Sequence, residues 1–219
     1  MIKTGERPLH ALRERGVEYV EVRCMDLDPF VPVGIAAPTM RFIDVFLLHC
    51  LLSPSPPDTP QEIASLGRNQ HRAAAFGRQP GLKLERDGAE VLLTEWAEEL
   101  MAQCTPLAAA LDAVQGGSEN AGGLVAARAA LAAPDTLPSA RALATIEQDF
   151  GKSYTAFIRA HAEQTRNHLL ALPWAPARQA AYEAMSRESL AQTAALEAAS
   201  TGDFESFRHA YLAPERLGA

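Results

Sequence analysis

The chain has 219 residues, 47% of them apolar, and a formal net charge of −7. That length and apolar share are enough to bury a core and exclude a disordered chain. The acid excess, with no run of Lys or Arg, excludes the basic footprint of a nucleic-acid binder, and the longest apolar run, 45–52 "VFLLHCLL", is too short to span a membrane.

Residues 1–16 carry too much charge for a signal peptide and are broken by Gly5, Pro8 and Gly16, so they read as irregular or weakly helical. Val17, Tyr19, Val20 and Val22 then predict a strand over 17–26, stopped at Asp28-Pro29. Residues 29–37 hold two prolines and a glycine and read as a loop. Thr39 opens a helix, "TMRFIDVFLLHCLLS", whose nearly continuous apolar surface predicts burial. Prolines at 54–60 end it. Thr59 as N-cap and Pro60 in the first turn then start another helix that runs to about Gly77. The stretch "GRQPGLKLERDGAEVLL" reads as a loop with one short strand or hairpin.

From Thr94 onward the alanine-rich sequence predicts helices over 94–113, 119–132, 137–148, 151–171, 177–200 and 203–211. The last long one reads as a surface helix covering the core, with a partner-binding amphipathic helix as the alternative. The division is therefore 1–93, strand-containing, and 94–219, helical. The fold class is α+β, a small β-containing part followed by a mostly α-helical body.

Several chemistries are missing from the pattern. There is no phosphate-loop motif, no G-x-G-x-x-G after a strand and no H-E-x-x-H. "GGSENAGG" at 116–123 lies between helices and reads as a loop. His161 and His168 share a helix face, but without a third ligand they read as a solvated or packed face, and the metal reading is weak. Cys24, Cys50 and Cys104 are odd in number and far apart, as expected of reduced thiols in a cytosolic protein. The chain reads as cytoplasmic, with no membrane or nucleic-acid partner.

The predicted strand itself is less ordinary. Side chains alternate along a strand, so Glu21 and Arg23 share a face, about 6.6–7 Å apart along the backbone. The plain reading is a solvated ion pair, worth about 0–1 kcal/mol. The functional reading is a two-part phosphate site. A carboxylate can hold Mg²⁺, a cation that prefers oxygen ligands, and a guanidinium can fork onto phosphate oxygens.

The stretch "ALRERGVEYVEVRCMDLDPFVPVGI", followed by "RFIDVFLLHCLL", resembles the bacterial glutamate–cysteine ligase family. The elements are a G-[IV]-E-Y-[IV]-E-V-R strand at 16–23, a D-[IL]-[ND]-P-F-x-P-x-G-[IV] turn at 26–35 and an R-F-x-D-x-F helix at 41–46. "LGRNQHRAAAFGRQPGL" at 66–82 and "AVQGG" at 113–117 extend the likeness.

The resemblance implies a glutamine-synthetase-like ligase scaffold of which this chain is the C-terminal portion. It implies an ATP-dependent joining of the glutamate γ-carboxylate to the cysteine amine through an acyl phosphate, the first step of glutathione biosynthesis. Glu21 would be a ligand of a catalytic Mg²⁺, and Arg23 the arginine that contacts the transferred phosphate of the nucleotide. Asn69, Arg72 and Arg78 match the pattern and read as structural support. Substrates would be L-glutamate, L-cysteine and MgATP. Family members are much longer, and the upstream part supplies most other metal-binding carboxylates. The expectation is little or no activity for this chain alone, with the N-terminal half as a separate chain to complement it. A non-catalytic helical interaction module derived from the same scaffold, or an unrelated helical binding protein, is the rival.

Overall fold

A computed structural model describes residues 7–23 and 25–213. Prolines and capping side chains set where its helices begin. Pro8 opens α1 (Pro8–Arg15), Pro38 lies in the first turn of α2 (Ala37–Leu52), and Pro60 opens α3 (Pro60–Phe76). Proline suits that first turn because its missing N–H would have had no partner there. At α3 the N-cap is Thr59, whose hydroxyl accepts from the Glu62 backbone N–H at 3.2 Å, as the sequence predicts.

Strands β1 (Lys83–Arg86) and β2 (Ala89–Leu92) form an antiparallel hairpin with Leu84 opposite Val91 and Glu85 opposite Glu90. Its turn is Asp87-Gly88, with φ of 52° and 79°. Both residues are left-handed, as a two-residue turn that matches strand twist requires. Five more helices follow among the described residues: α4 (Leu93–Gln115), α5 (Glu119–Ala132), α6 (Pro138–Asp149), α7 (Tyr154–Ala171) and α8 (Pro176–Ala199). A 3₁₀ turn at Pro134–Thr136 precedes α6. Helix α9 (Phe204–Leu212) is capped by Asp203, which accepts from the Ser206 backbone N–H at 3.0 Å.

The chain divides into two compact units, one of residues 26–171 and one that joins the described parts of 1–25 and 172–219. In the first, the core is Val45 of α2, Cys104 and Ala108 of α4 and Leu124 of α5, with Phe42, Phe46, Leu107 and Leu111 packed against it. Small side chains make the close approach possible. At Gly123 an added Cβ would lie 2.9 Å from the Pro38 carbonyl oxygen and 3.0 Å from the Phe42 nitrogen, so α5 crosses α2 backbone to backbone.

Asp112 fixes the other end of this packing. Buried in α4, it accepts from the backbone N–H groups of Asn120 (2.9 Å) and Ala121 (3.0 Å) and from the Asn120 side chain (2.8 Å). It thus caps α5 from a neighbouring helix and satisfies donors that the first turn leaves open. The Ala121 and Asn120 donors hold its carboxyl below the usual range.

The hairpin is latched to α3 by Asn69, a buried side chain. Its amide donates to the Glu85 carbonyl at 2.7 Å and its oxygen accepts from the Glu85 N–H at 2.8 Å. Arg68 donates to the Glu85 carboxylate at 2.8 Å, and Arg72 lies 3.3 Å from it. These charge-assisted bonds from Arg68 hold the Glu85 carboxyl below its ordinary value.

Three expectations need correction. Residues 17–23 and 25–26 form no strand; a strand exists only when a neighbour supplies the ladder, and no described residue does. "GGSENAGG" is a loop only as far as Ser118, and Gly122 and Gly123 lie inside α5, whose bounds match the helix predicted over 119–132. Helix α8 covers no core, because none of its residues is buried. The predicted burial of α2 holds for one side, centred on Val45, while Met40, Leu51 and Leu52 are exposed. Cys50 is exposed and Cys104 buried, both as free thiols; Cys24 and the predicted irregular start at 1–6 lie outside the described residues.

Candidate functional site

Residues 16–23 leave α1 at Gly16, whose φ of 73° ends the helix. The backbone beyond it lacks helical or ladder assignment. Glu21 and Arg23, two residues apart, still meet: the Arg23 Nη2 donates to the Glu21 Oε2 at 2.8 Å. The side chains of Arg23 and Glu21 are 76% and 53% exposed. A planar guanidinium with five donors and a carboxylate with two acceptor oxygens are thus presented together to solvent.

That pair suits anionic, metal-bound ligands. Mg²⁺ usually binds one or two carboxylates together with waters and substrate phosphates, so the Glu21 carboxylate fits one position around such an ion. Among the described residues no three His, Cys, Asp or Glu side chains converge on a metal position. This part of the chain therefore offers a divalent cation a single carboxylate beside a phosphate-matching guanidinium.

The loop after the pair, 26–35, is anchored rather than open. Its Asp28 side chain accepts from the Phe30 N–H at 2.9 Å, and the Asp28 N–H donates to the Gly34 carbonyl at 2.8 Å. Arg141 of α6 sits 3.7 Å from the Asp28 carboxylate and 4.1 Å above the Phe30 ring. On α7, His161 lies 5.1 Å from the Phe30 ring centroid and 4.5 Å from that of Phe157. The "DPF" element is thus a clasp onto α6 and α7. His161 belongs to an aromatic cluster, while His168 is exposed.

Within residues 26–171 a cleft of about 850 Å³ opens between α2, α4, α5 and the 77–82 loop. Its walls are mostly apolar, from Phe42, Phe46, Leu93 and Met101, and Asp26 and Arg78 are the charged residues that line it. Arg78 therefore stands on the cleft, whereas Asn69 and Arg72 serve the hairpin. Sequence reasoning missed Asp112 and Arg141 as packing elements. The signal for Asp112 was available: an acid eight residues before "NAGG", at the helix start that Ser118 leaves without a side-chain cap.

Comparison with known proteins agrees with the motif reading. The family model for glutamate–cysteine ligase matches residues 1–73. The glutamate–cysteine ligase of Azotobacter vinelandii is 45% identical over 214 residues, covering 96% of this chain and 39% of that protein. The Pseudomonas entomophila ligase is 43% identical over 213 residues, with the same coverage. A crystal structure of glutamate–cysteine ligase from Francisella tularensis in complex with AMP superimposes with a TM-score of 0.85 at 28% identity, over 98% of this chain and 42% of that one. The chain spans about two fifths of the length of these relatives, and over nearly its whole length it is similar to glutamate–cysteine ligases.

Proposed function

We propose that this chain supplies the Glu21–Arg23 pair to a glutamate–cysteine ligase, the first enzyme of glutathione biosynthesis, acting in the cytoplasm. No helix among the described residues is long and apolar enough to cross a membrane. The observation that carries the reading is the pair itself: two side chains of complementary phosphate chemistry, 2.8 Å apart and exposed, within the segment that the family model matches. A ligase of this kind must activate a carboxylate, a poor electrophile, before an amine can displace anything from it. ATP would phosphorylate the glutamate γ-carboxylate. The cysteine amine would then attack the acyl carbonyl, with phosphate as leaving group.

Arg23 would bind the oxygens of the phosphoryl group in transit, where negative charge is spread over three atoms. Glu21 would serve as a Mg²⁺ ligand, not as a general base, and would orient Arg23 through their hydrogen bond. Mg²⁺, when bound, supplies charge neutralisation to the phosphates. The AMP complex of the Francisella relative supports a nucleotide as co-substrate. In this reading residues 1–93 carry the chemistry and 94–219 the helical support.

One carboxylate is too few for the whole site, and the relatives are more than twice as long. The chain alone is therefore expected to show little or no turnover. The test is an ATP- and Mg²⁺-dependent γ-glutamylcysteine assay on the chain alone and on the chain co-expressed with the remaining part of the A. vinelandii ligase. Activity confined to the mixture, reduced about 10²-fold or more by Arg23→Ala, supports the proposal. No activity in a mixture that assembles refutes it, and robust turnover by the chain alone refutes the need for a partner. The rival, a non-catalytic interaction module, draws on α8, which buries none of its 24 residues; it predicts assembly without turnover.

A further inference from the structure

The sequence reads Asn69, Arg72 and Arg78 alike as structural support, and the fold uses only the first two. Asn69 and Arg72 hold Glu85 of the hairpin. The Arg78 side chain has no hydrogen bond or ion pair among the described residues. Its loop is nonetheless pinned. The Gln79 N–H donates to the Phe76 carbonyl at 2.7 Å, the Leu82 N–H to the Gln79 carbonyl at 3.2 Å and the Leu93 N–H to the Leu82 carbonyl at 2.9 Å. A built loop thus brings an unengaged guanidinium to the cleft of about 850 Å³ beside α2, α4 and α5. Pockets of about 300–1,000 Å³ take small organic molecules, with apolar walls for the body and a few polar groups to orient it.

We propose that this cleft binds a small organic monoanion, with an aromatic body against Phe42, Phe46 and Met101 and a carboxylate or sulfonate on Arg78. The walls gain by losing water from apolar surface, and a thioether such as that of Met101 packs well against aromatic rings. A guanidinium offers parallel donors that match two oxygens of one anionic head. Asp26, the other charged residue on the cleft, also has no side-chain partner among the described residues. Its like charge disfavours a second anionic group on the ligand, so the cleft suits a monoanion and not a polyphosphate. A second copy of this chain is a poorer occupant, because two chains of net charge −7 repel each other. The site goes beyond the proposed function and does not depend on it, since binding is read without turnover.

The test is fluorescence titration of the purified chain with two probes that share one aromatic body: anilinonaphthalene sulfonate, which carries an anionic head, and phenylnaphthylamine, which lacks it. Arg78→Gln removes the charge. Arg78 is exposed and unpaired, so that variant keeps the fold. Ala126→Phe fills the cleft from α5 at an exposed position outside the core. Melts followed by circular dichroism check both variants. Expected are one sulfonate probe bound per chain and a loss of about tenfold or more in its affinity with Arg78→Gln. Phenylnaphthylamine should be unaffected by Arg78→Gln, and both probes should be lost with Ala126→Phe. Sulfonate binding that ignores Arg78→Gln, or an equal loss of both probes in that variant, overturns the proposal. Failure of either probe to bind the chain overturns it in favour of a cleft closed by polypeptide. Sulfonate binding that fades as the chain dimerises in sedimentation overturns it in favour of a second copy.

Discussion

Gly122 and Gly123 are neighbours in one helix, and substituting each by alanine should change stability in opposite directions. Both substitutions gain the same local term, since alanine is favoured over glycine inside a helix by about 0.5–1 kcal/mol. At Gly122 nothing lies within 4 Å of the new Cβ, so Gly122→Ala should stabilise by that amount. At Gly123 the Cβ would sit 2.9 Å from the Pro38 oxygen and 3.0 Å from both the Arg41 Cβ and the Phe42 nitrogen. Two of these are backbone atoms and cannot rotate away, so α2 and α5 must part by several tenths of an ångström. Overpacking of this kind costs about 1–3 kcal/mol. Subtracting one variant from the other cancels the propensity term and leaves the cost of the crossing. The assay is urea denaturation followed by tryptophan fluorescence in a Trp174→Phe background. Trp96 of α4 then reports on the unit that holds the crossing, while Trp174 belongs to the other unit. Equal stability of the two alanine variants, within about 0.5 kcal/mol, would refute the backbone-to-backbone contact.

Other consequences can be checked in the same background. Asn69→Ala should cost about 1–3 kcal/mol, because it strands the N–H and carbonyl of Glu85 at the start of the hairpin; urea midpoints and faster amide exchange in β1 would show it. Asp112→Ala should lower the melting temperature by several degrees by removing the α5 cap. Because the folded carboxyl is held below its unfolded value, its contribution is present above about pH 4 and is lost as pH falls through the lower folded value. Asp112→Asn should flatten that acid limb in a pH series of melts. Arg141→Ala should cost about 1 kcal/mol through the lost Phe30 stacking and speed exchange of the 26–35 amides, with Arg141→Lys intermediate.

Helices were legible because their determinants are local. Thr59-Pro60, Pro138 and Pro176 mark starts in the sequence, and the structure places α3, α6 and α8 there. The sequence leaves the hairpin open against a single short strand, although Asp87-Gly88 carries a local turn signal that decides it. What escaped was set by distant residues. Gly122-Gly123 resembles loop composition until α2 is seen to need the missing side chain. Asp112 resembles any surface acid until α5 brings its N-terminus to it. The sequence leaves His161 open between a solvated and a packed face, and Phe30, distant in sequence, decides with Phe157 for packing.

The candidate site shows the same rule at its limit. A sequence can state that Val17–Arg23 alternates like a strand, but strand structure belongs to a pair of segments and never to one. The exposed ion pair of Glu21 and Arg23 does not need the ladder, since Arg23 reaches the Glu21 carboxylate at 2.8 Å without one. Its direction relative to a substrate does need the ladder, because an isolated extended segment is free to twist. A rigid neighbouring strand would hold the carboxylate and guanidinium within the few tenths of an ångström that phosphoryl transfer demands.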